Sequence, residues 1–284
     1  MVGRTRLIVN ADDLGLTESV NRGIIETMQS GIVTSASLMV NMQGHDDAIR
    51  RLRDLGGRDV SIGLHFNIVA GAPLAECPTL VDRRTGRFLT LQRLALRAFS
   101  RRIDPRDVER ELDAQIGRAG NLLRPPPLGM RLTHIDSHRH AHCLPGIFDV
   151  AVLVARKHGI PHVRHPNEAS PTLLRRLRAV VASRVLRLVL PERQALDDVG
   201  FAGFALMGSR TLESDLARLV ARLPAGTTEL MVHPGYDSPE LAALDPYRAP
   251  REREVRALTS PAILERIRSL GVELTRFGST AVPA

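Results

Sequence analysis

The chain carries the stretch LIVNADDLG at residues 7–15. This stretch helps to distinguish a Rossmann fold from a (β/α) barrel, because both folds begin with a buried strand. Its apolar part, residues 6–10, is typical of such a strand. A dinucleotide-binding Rossmann fold would continue with the glycine pattern GxGxxG, whereas residues 10–15 read NADDLG. Two adjacent carboxylates, Asp12 and Asp13, stand where glycines would have to approach a phosphate, so a Rossmann fold is disfavoured.

Outward from this stretch, short apolar runs alternate with helical patterns. Val20, Ile24 and Met28 recur every four residues and Gly31 ends this first helix. Further helices are predicted at residues 45–55, from Asp104-Pro105 onward, and at 145–158, 211–223 and 261–270. Strands are predicted at residues 6–10, 33–40, 60–66, 130–135, 161–164, 204–207, 228–232 and 272–277.

This alternation of about eight strand–helix units predicts an α/β fold with a parallel sheet covered by helices. A distorted (β/α) barrel of seven or eight strands suits the length better than an open sheet. We expect one domain over residues 1–284. Two regions without clear periodicity, near 67–104 and 167–200, are interpreted as variable insertions.

Composition narrows the classes of function. Aromatic residues make up 3% of the chain and Trp is absent, which argues against a stacking platform for single-stranded nucleic acid. Cys77 and Cys143 lie far apart and form neither a disulfide framework nor a cysteine zinc site. We therefore expect a reducing compartment and, without a signal peptide or transmembrane segment, a cytoplasmic location.

The net charge of +8 is carried mostly by scattered Arg residues. Solvated helix faces explain such a distribution, and attraction to an anionic membrane surface or substrate is the alternative.

Polar side chains follow the predicted strands at one end of the sheet. In a barrel, catalysis occupies the carboxyl ends of the strands. Asp12 and Asp13 follow the first strand, His65 ends the third, and Arg164 and His233 follow later strands. We expect these side chains to converge on one rim.

The Asp12-Asp13 pair has two interpretations. Two neighbouring carboxylates cannot both be buried without a compensating partner, so one can bind a metal while the other accepts a proton from water. A helix cap or an Asx turn at Asp13 is the alternative. The dipeptide alone leaves both open.

Histidines cluster around the fourth predicted strand. Seven of the ten lie in residues 134–165, and residues 133–142 read THIDSHRHAH. Imidazole is the commonest ligand for borderline divalent metals, so this run predicts a metal site. Asp13, His65 and His138 form a set of two imidazoles and one carboxylate with open positions. Asp136 and His142 are candidates for orienting the ligands or contacting substrate.

His233 is the remaining candidate. It follows the apolar run of residues 230–232 and precedes Pro234 and Gly235. A histidine there can protonate a leaving amine, or it can cap a turn.

Taken together, these residues resemble the YdjC-like (ChbG-type) carbohydrate deacetylases. The resemblance spans nearly the whole chain, with the blocks in family order. The matching blocks are residues 7–15 (LIVNADDLG), 31–41 (GIVTSASLMVN), 63–66 (GLHF), 133–138 (THIDSH) through His142, 229–236 (ELMVHPGY) and 258–261 (LTSP).

The resemblance implies a deacetylase-like barrel, similar to those of glycoside hydrolases and deacetylases, with one divalent metal per chain. It implies removal of an acetyl group from an N-acetylated sugar, such as an N-acetylglucosamine oligosaccharide or glycoconjugate, by metal-activated water. By position, Asp13, His65 and His138 are the metal ligands, Asp12 is the base and His233 is the acid. Leu14 departs from the family's usual Phe, and the two insertions match no family pattern.

The sequence does not decide the role of Arg164, the identity of the metal or the oligomeric state. Arg164 is expected either to orient Asp12 or to bind substrate. The donor set suits Zn²⁺, the family is described with Mg²⁺, and Co²⁺ is expected to substitute. The expected partner is the acetylated sugar, without nucleic acid. A homodimer is compatible with the sequence, which shows no sustained heptad.

Two other classes remain as alternatives. The first is a metal-dependent barrel amidohydrolase or phosphoesterase acting on a non-sugar substrate. A two-metal phosphoesterase site would need more carboxylates than Asp12, Asp13 and Asp136. The second is a non-catalytic protein that binds nucleic acid or a membrane surface, which predicts salt-sensitive binding indifferent to metal.

Overall fold

A curled parallel sheet forms the centre of the molecule in the computed structural model, which describes residues 4–168 and 198–279. Every strand pair in it is parallel. The strands run in the order β5-β4-β3-β2-β1-β7-β6, and β8 pairs with β1. They are β1 (Thr5–Leu14), β2 (Ser35–Leu38), β3 (Ser61–Phe66), β4 (Leu132–Ser137), β5 (His162–Val163), β6 (Val199–Ala202), β7 (Gly226–Val232) and β8 (Glu273–Thr275).

The two ends of this seven-stranded path approach each other. A parallel bridge joins Glu168, which follows β5, to Phe201 in β6. The strand β8 pairs with Arg6–Ile8 of β1, and β2 pairs with the later residues Asn10–Leu14 of the same strand. The prediction of a distorted α/β barrel of seven or eight strands is confirmed.

Helices follow most strands and cover the sheet. Asp104 caps one of them with Pro105 in its first turn, as predicted, and Thr17 accepts a hydrogen bond from the Val20 amide at the start of another. Of the helices in the described ranges, none has the length and apolar character needed to cross a bilayer. They are α1 (Glu18–Ser30), α2 (His45–Arg53), α3 (Leu91–Phe99), α4 (Pro105–Leu123), α5 (Phe148–Lys157), α6 (Leu212–Val220), α7 (Pro239–Leu244), α8 (Ala249–Leu258) and α9 (Pro261–Ser269).

One predicted strand is wrong. Residues 204–207 form a turn in which the Leu206 amide donates to the carbonyl of Gly203, and the strand lies earlier, at Val199–Ala202. Gly203 has a φ of +145°, which ends the extended segment. The apolar side chain of Phe204 then packs against Phe201 with ring centroids 5.2 Å apart.

The two predicted insertions have different outcomes. The region near 67–104 contains α3, a helix that the sequence analysis did not predict, as it did not predict α7 and α8. Most of the region near 167–200 lies outside the described residues. The prediction that both regions vary stays a prediction.

The close packing of α1 against the loop after β7 gives a test of this fold. A Cβ added at Gly23 would lie 2.5 Å from the Cα of Gly235, whereas one added at Gly117 in α4 would meet nothing within 4 Å. We expect Gly23→Ala to lower the free energy of unfolding by about 1–3 kcal/mol through overpacking. Gly117→Ala is expected to raise it by about 0.5–1 kcal/mol, because alanine is the better helix former.

Urea-induced unfolding of both variants measures the difference. Equal effects of the two substitutions would contradict the close approach of α1 to Gly235.

Candidate active site

The carboxyl ends of the parallel strands hold the predicted site residues. Asp12 and Asp13 lie near the C-terminal end of β1, His65 in β3 and Asp136 in β4. His138, Arg164 and His233 directly follow β4, β5 and β7. The structure therefore brings together all the sequence-predicted site residues, with His142 one layer behind the others.

An irregularity in β1 allows two successive carboxylates to reach the same site. Neighbouring residues of a regular strand point to opposite faces of the sheet. Here the pairing of β1 with β2 shifts register between Ala11 and Leu14, and Asp13 has a φ of +73°. Such a bulge re-aims a side chain, so Asp12 and Asp13 both point toward the histidines.

Asp13 forms the centre of a three-residue donor set. Its Oδ1 lies 2.8 Å from His138 Nδ1 and 3.2 Å from His65 Nε2. One ligand atom from each of these residues lies within 4.8 Å of the others. Burial raises the pKa of Asp13, but His138 and Arg251 outweigh it and hold that pKa well below its ordinary value. The carboxylate is therefore ionised.

The imidazole of His65 is oriented as a cation ligand requires. Its Nδ1 lies 2.7 Å from Asp136 Oδ1, while its buried Nε2 faces Asp13 Oδ1 at 3.2 Å. A carboxylate on one ring nitrogen directs the lone pair of the other toward the site. Two imidazoles and a carboxylate whose ligand atoms lie this close together fit a divalent cation.

The pKa of His65 adds a condition to such binding. Burial lowers this pKa, but the Asp136 carboxylate, with Asp13 and Asp12, outweighs it and raises the pKa to about 10. A cation that enters the site at neutral pH therefore displaces a proton from the imidazole.

A second donor set overlaps the first. Asp12, His65 and Asp136 also have ligand atoms within 4.8 Å of one another. Both oxygens of Asp12 accept hydrogen bonds from Arg164, at 2.6 and 2.7 Å. Asp136 Oδ2 accepts from the Ser37 hydroxyl at 2.6 Å. Arg164 engages both oxygens of Asp12, whereas Asp13 Oδ1 faces the two imidazoles, so the set around Asp13 is the better cation site.

Arg164 is the central cation of the site and is fully buried. Besides Asp12, its guanidinium lies 2.7 Å from Asp136 Oδ2 and 2.6 Å from Glu229 Oε1. Burial raises the pKa of Asp12, but the charge and hydrogen bonds of Arg164 outweigh it and hold that pKa far below its ordinary value. Of the two roles left open by the sequence, the geometry shows contact with Asp12.

His233 lies at the more exposed edge of the site. Its Nε2 is 3.9 Å from Asp12 Oδ2, and its side chain is 13% exposed. The backbone amide of His233 donates to Glu254, and its ring lies 5.4 Å from that of Tyr247, centroid to centroid. The imidazole is thus held beside Asp12 with one side toward solvent.

His142 supports the main chain and does not contact the donor set. Its Nε2 donates to the Arg164 carbonyl at 2.9 Å, and the Ser137 hydroxyl donates to its Nδ1. Burial lowers the pKa of His142 to about 3, so the ring is neutral. His134 is also buried and stacks on Phe277 with centroids 4.1 Å apart. The histidine-rich run therefore contributes His138 to the donor set and packs these other rings behind it.

Sequence reasoning missed two charged residues of the site. Glu229 stands alone as a carboxylate beside the apolar residues of a buried strand, and this was a usable signal. Arg251 lies in the Arg-rich helix α8, where no local pattern distinguishes it from Arg253 and Arg256. Its Nη2 lies 2.6 Å from Asp13 Oδ2 and 2.9 Å from Asp245 Oδ2.

Comparison with known proteins agrees with this geometry. A family model described as YdjC-like protein matches residues 6–269. A carbohydrate deacetylase of Geobacillus stearothermophilus is 34% identical over 276 residues, covering 95% of this chain and 96% of that protein. A chitooligosaccharide deacetylase of Serratia marcescens is 34% identical over 272 residues, covering 95% of this chain and 97% of that protein.

A solved structure shares the whole fold. It comes from Enterococcus faecalis V583, and its description assigns it provisionally to cellobiose-phosphate cleavage. It superposes with a TM-score of 0.74 at 26% identity, covering 97% of this chain and 98% of that one. The resemblance found in the sequence is confirmed, and with it the assignment to an enzyme family that includes carbohydrate deacetylases. The chain belongs to the YdjC-like family.

Proposed function

We propose that this chain is a metal-dependent carbohydrate deacetylase that hydrolyses the acetamide of an N-acetylated sugar. The observation that carries the proposal is the convergence of Asp13, His65 and His138 beside the Asp12–Arg164 pair and His233. The relatives named carbohydrate and chitooligosaccharide deacetylases support the substrate class. We place N-acetylglucosamine oligosaccharides and glycoconjugates first among substrates.

Asp13, His65 and His138 would hold the cation. A divalent cation supplies Lewis-acid polarisation of the amide carbonyl and makes water more acidic. Two imidazoles and one carboxylate suit Zn²⁺ or Co²⁺ on ligand preference, whereas Mg²⁺ prefers oxygen ligands. Asp136 would keep the His65 lone pair directed at the site through its contact with Nδ1.

Asp12 would accept the proton of the attacking water. Its low pKa keeps it ionised at neutral pH, and Arg164 fixes the carboxylate plane by contacting both oxygens. His233 would protonate the departing nitrogen, because its Nε2 lies 3.9 Å from Asp12 at the exposed edge. Base and acid would therefore lie next to each other, within reach of one bound acetamide.

Acetate release from N-acetylglucosamine oligosaccharides tests this function. The chain is stripped of metal and restored with Zn²⁺, Co²⁺, Mg²⁺ or nothing. We expect release only with a restored cation, and loss of both cation and release in Asp13→Asn. Asp82→Asn is a matched control, because Asp82 pairs with Arg93 at the surface and lies outside the site.

Release that survives complete removal of metal would contradict metal dependence. Absence of release from every acetylated sugar, in protein that holds one cation per chain, would contradict the sugar substrate and favour a non-sugar amide.

A further inference from the structure

The two oxygens of Asp13 are divided between different partners. Oδ1 faces His138 Nδ1 and His65 Nε2, at 2.8 and 3.2 Å. Oδ2 accepts from Arg251 Nη2 at 2.6 Å. Arg251 is fully buried, so water does not compete for this contact. Oδ1 therefore faces the two imidazoles, and Oδ2 already accepts a hydrogen bond from Arg251.

The guanidinium of Arg251 is itself held firmly. Its Nε donates to the Tyr247 carbonyl at 2.7 Å, and Nη2 also reaches Asp245 Oδ2 at 2.9 Å. Its stem passes close over Gly235, where an added Cβ would lie 3.2 Å from Arg251 Cδ. These contacts hold Nε and Nη2 of Arg251 beside Asp13, while its buried Nη1 has no hydrogen-bond partner among the described residues.

We propose that Arg251 is a positioning residue of the cation site, which restricts Asp13 to a single ligating oxygen and thereby disfavours cations that require both. The inference rests on the proposed function, because it presumes that Asp13 binds a cation. Ca²⁺ takes six to eight oxygen ligands and readily uses both oxygens of a carboxylate, whereas Zn²⁺ takes about four ligands and accepts imidazole. Occupation of Oδ2 therefore favours Zn²⁺ over Ca²⁺.

A purely structural role for Arg251 makes a different prediction. An ion pair that only fastens α8 to the sheet would change the stability of the chain and leave the ratio of two cation affinities unchanged. That ratio separates the two roles, and it is measured without substrate.

Calorimetric titration of the metal-free chain with Zn²⁺ and with Ca²⁺ provides the test. In Arg251→Gln we expect the affinity for Ca²⁺ relative to that for Zn²⁺ to rise about tenfold or more, since Asp13 Oδ2 is released from the guanidinium, whereas loss of the positive charge raises both affinities alike. Arg256→Gln is the matched control, because Arg256 lies on the same helix with a 70% exposed side chain. The ratio of Ca²⁺ affinity to Zn²⁺ affinity in Arg256→Gln is expected to equal that of the unaltered chain.

Removal of a buried cation can impair folding, so a second variant is included. Arg251→Gln combined with Asp245→Asn removes one buried positive and one buried negative charge together, and is expected to show the same rise in the ratio. A ratio unchanged in both variants, while the unaltered chain binds Zn²⁺, overturns this proposal alone. Failure of the unaltered chain to bind any divalent cation overturns it together with the proposed metal dependence.

Discussion

Replacing Asp12 with asparagine is expected to lower kcat for acetate release at least about a hundredfold, the usual contribution of a positioned base. Asparagine has nearly the same shape but cannot accept a proton. The three residues of the donor set are untouched, and Arg164 keeps its contacts with Asp136 and Glu229. The variant should therefore fold and retain its cation.

Steady-state kinetics and elemental analysis of the purified variant check both parts of this expectation. Asp82→Asn serves again as the surface control. Retention of most of the activity would exclude Asp12 as the proton acceptor. Loss of the cation would instead assign it to the overlapping set of Asp12, His65 and Asp136.

Replacing Arg164 with methionine is expected to lower the free energy of unfolding by about 3–5 kcal/mol, the usual cost of breaking a buried ion pair. The substitution leaves the carboxylates of Asp12, Asp136 and Glu229 buried without the guanidinium that all three contact. Urea-induced unfolding at neutral pH measures the loss.

Arg248→Met provides a matched comparison. Arg248 also makes two hydrogen bonds to one carboxylate, that of Asp237, but both side chains are about two-fifths exposed. We expect a loss of about 0–1 kcal/mol there, because water screens an exposed pair. Losses of similar size in the two variants would contradict the buried role of Arg164.

The pH dependence of the Arg164 effect has a definite sign. Arg164 holds the pKa values of Asp12 and Glu229 below their ordinary values against the opposing effect of burial. A carboxylate with a lowered pKa stabilises the fold above its unfolded pKa, and this stability is lost as the pH falls. In Arg164→Met only burial remains and raises these pKa values, so protonation removes the uncompensated charges, and the difference in stability between the two chains is expected to narrow as the pH falls from neutral.

Local patterns were sufficient to predict most of the fold. Apolar periodicity follows from which face of an element is buried, and it located β1, β3, β4, β7 and the helix that Asp104 caps. It failed at β6, where the extended segment contains Gly200 and the more apolar residues 204–207 form the turn. Hydrophobicity reports burial, and a buried turn and a buried strand look alike by that measure.

The site was predictable to the extent that it depends on strand ends. Parallel strands bring their carboxyl ends to one edge, so His65, His138 and His233 could be assigned to the same rim as Asp12. The bulge at Asp13 and the counter-charge from Arg251 could not be assigned, since both depend on distant neighbours. Homodimer formation and a cytoplasmic location stay predictions from the sequence.

The first strand obtains its counter-charges very late in the chain. Asp12 pairs with an arginine 152 residues further on, and Asp13 with one 238 residues further on. The flanking strands β7 and β8 are equally remote in sequence. During synthesis, β1 has β2 as a neighbour early, but β7 and β8 and the arginine partners of its two carboxylates come much later, and burying the carboxylates before then would be costly. The paired carboxylates of the site can therefore form only after α8 has been translated, and a product interrupted before that point lacks the arginine that contacts Asp13.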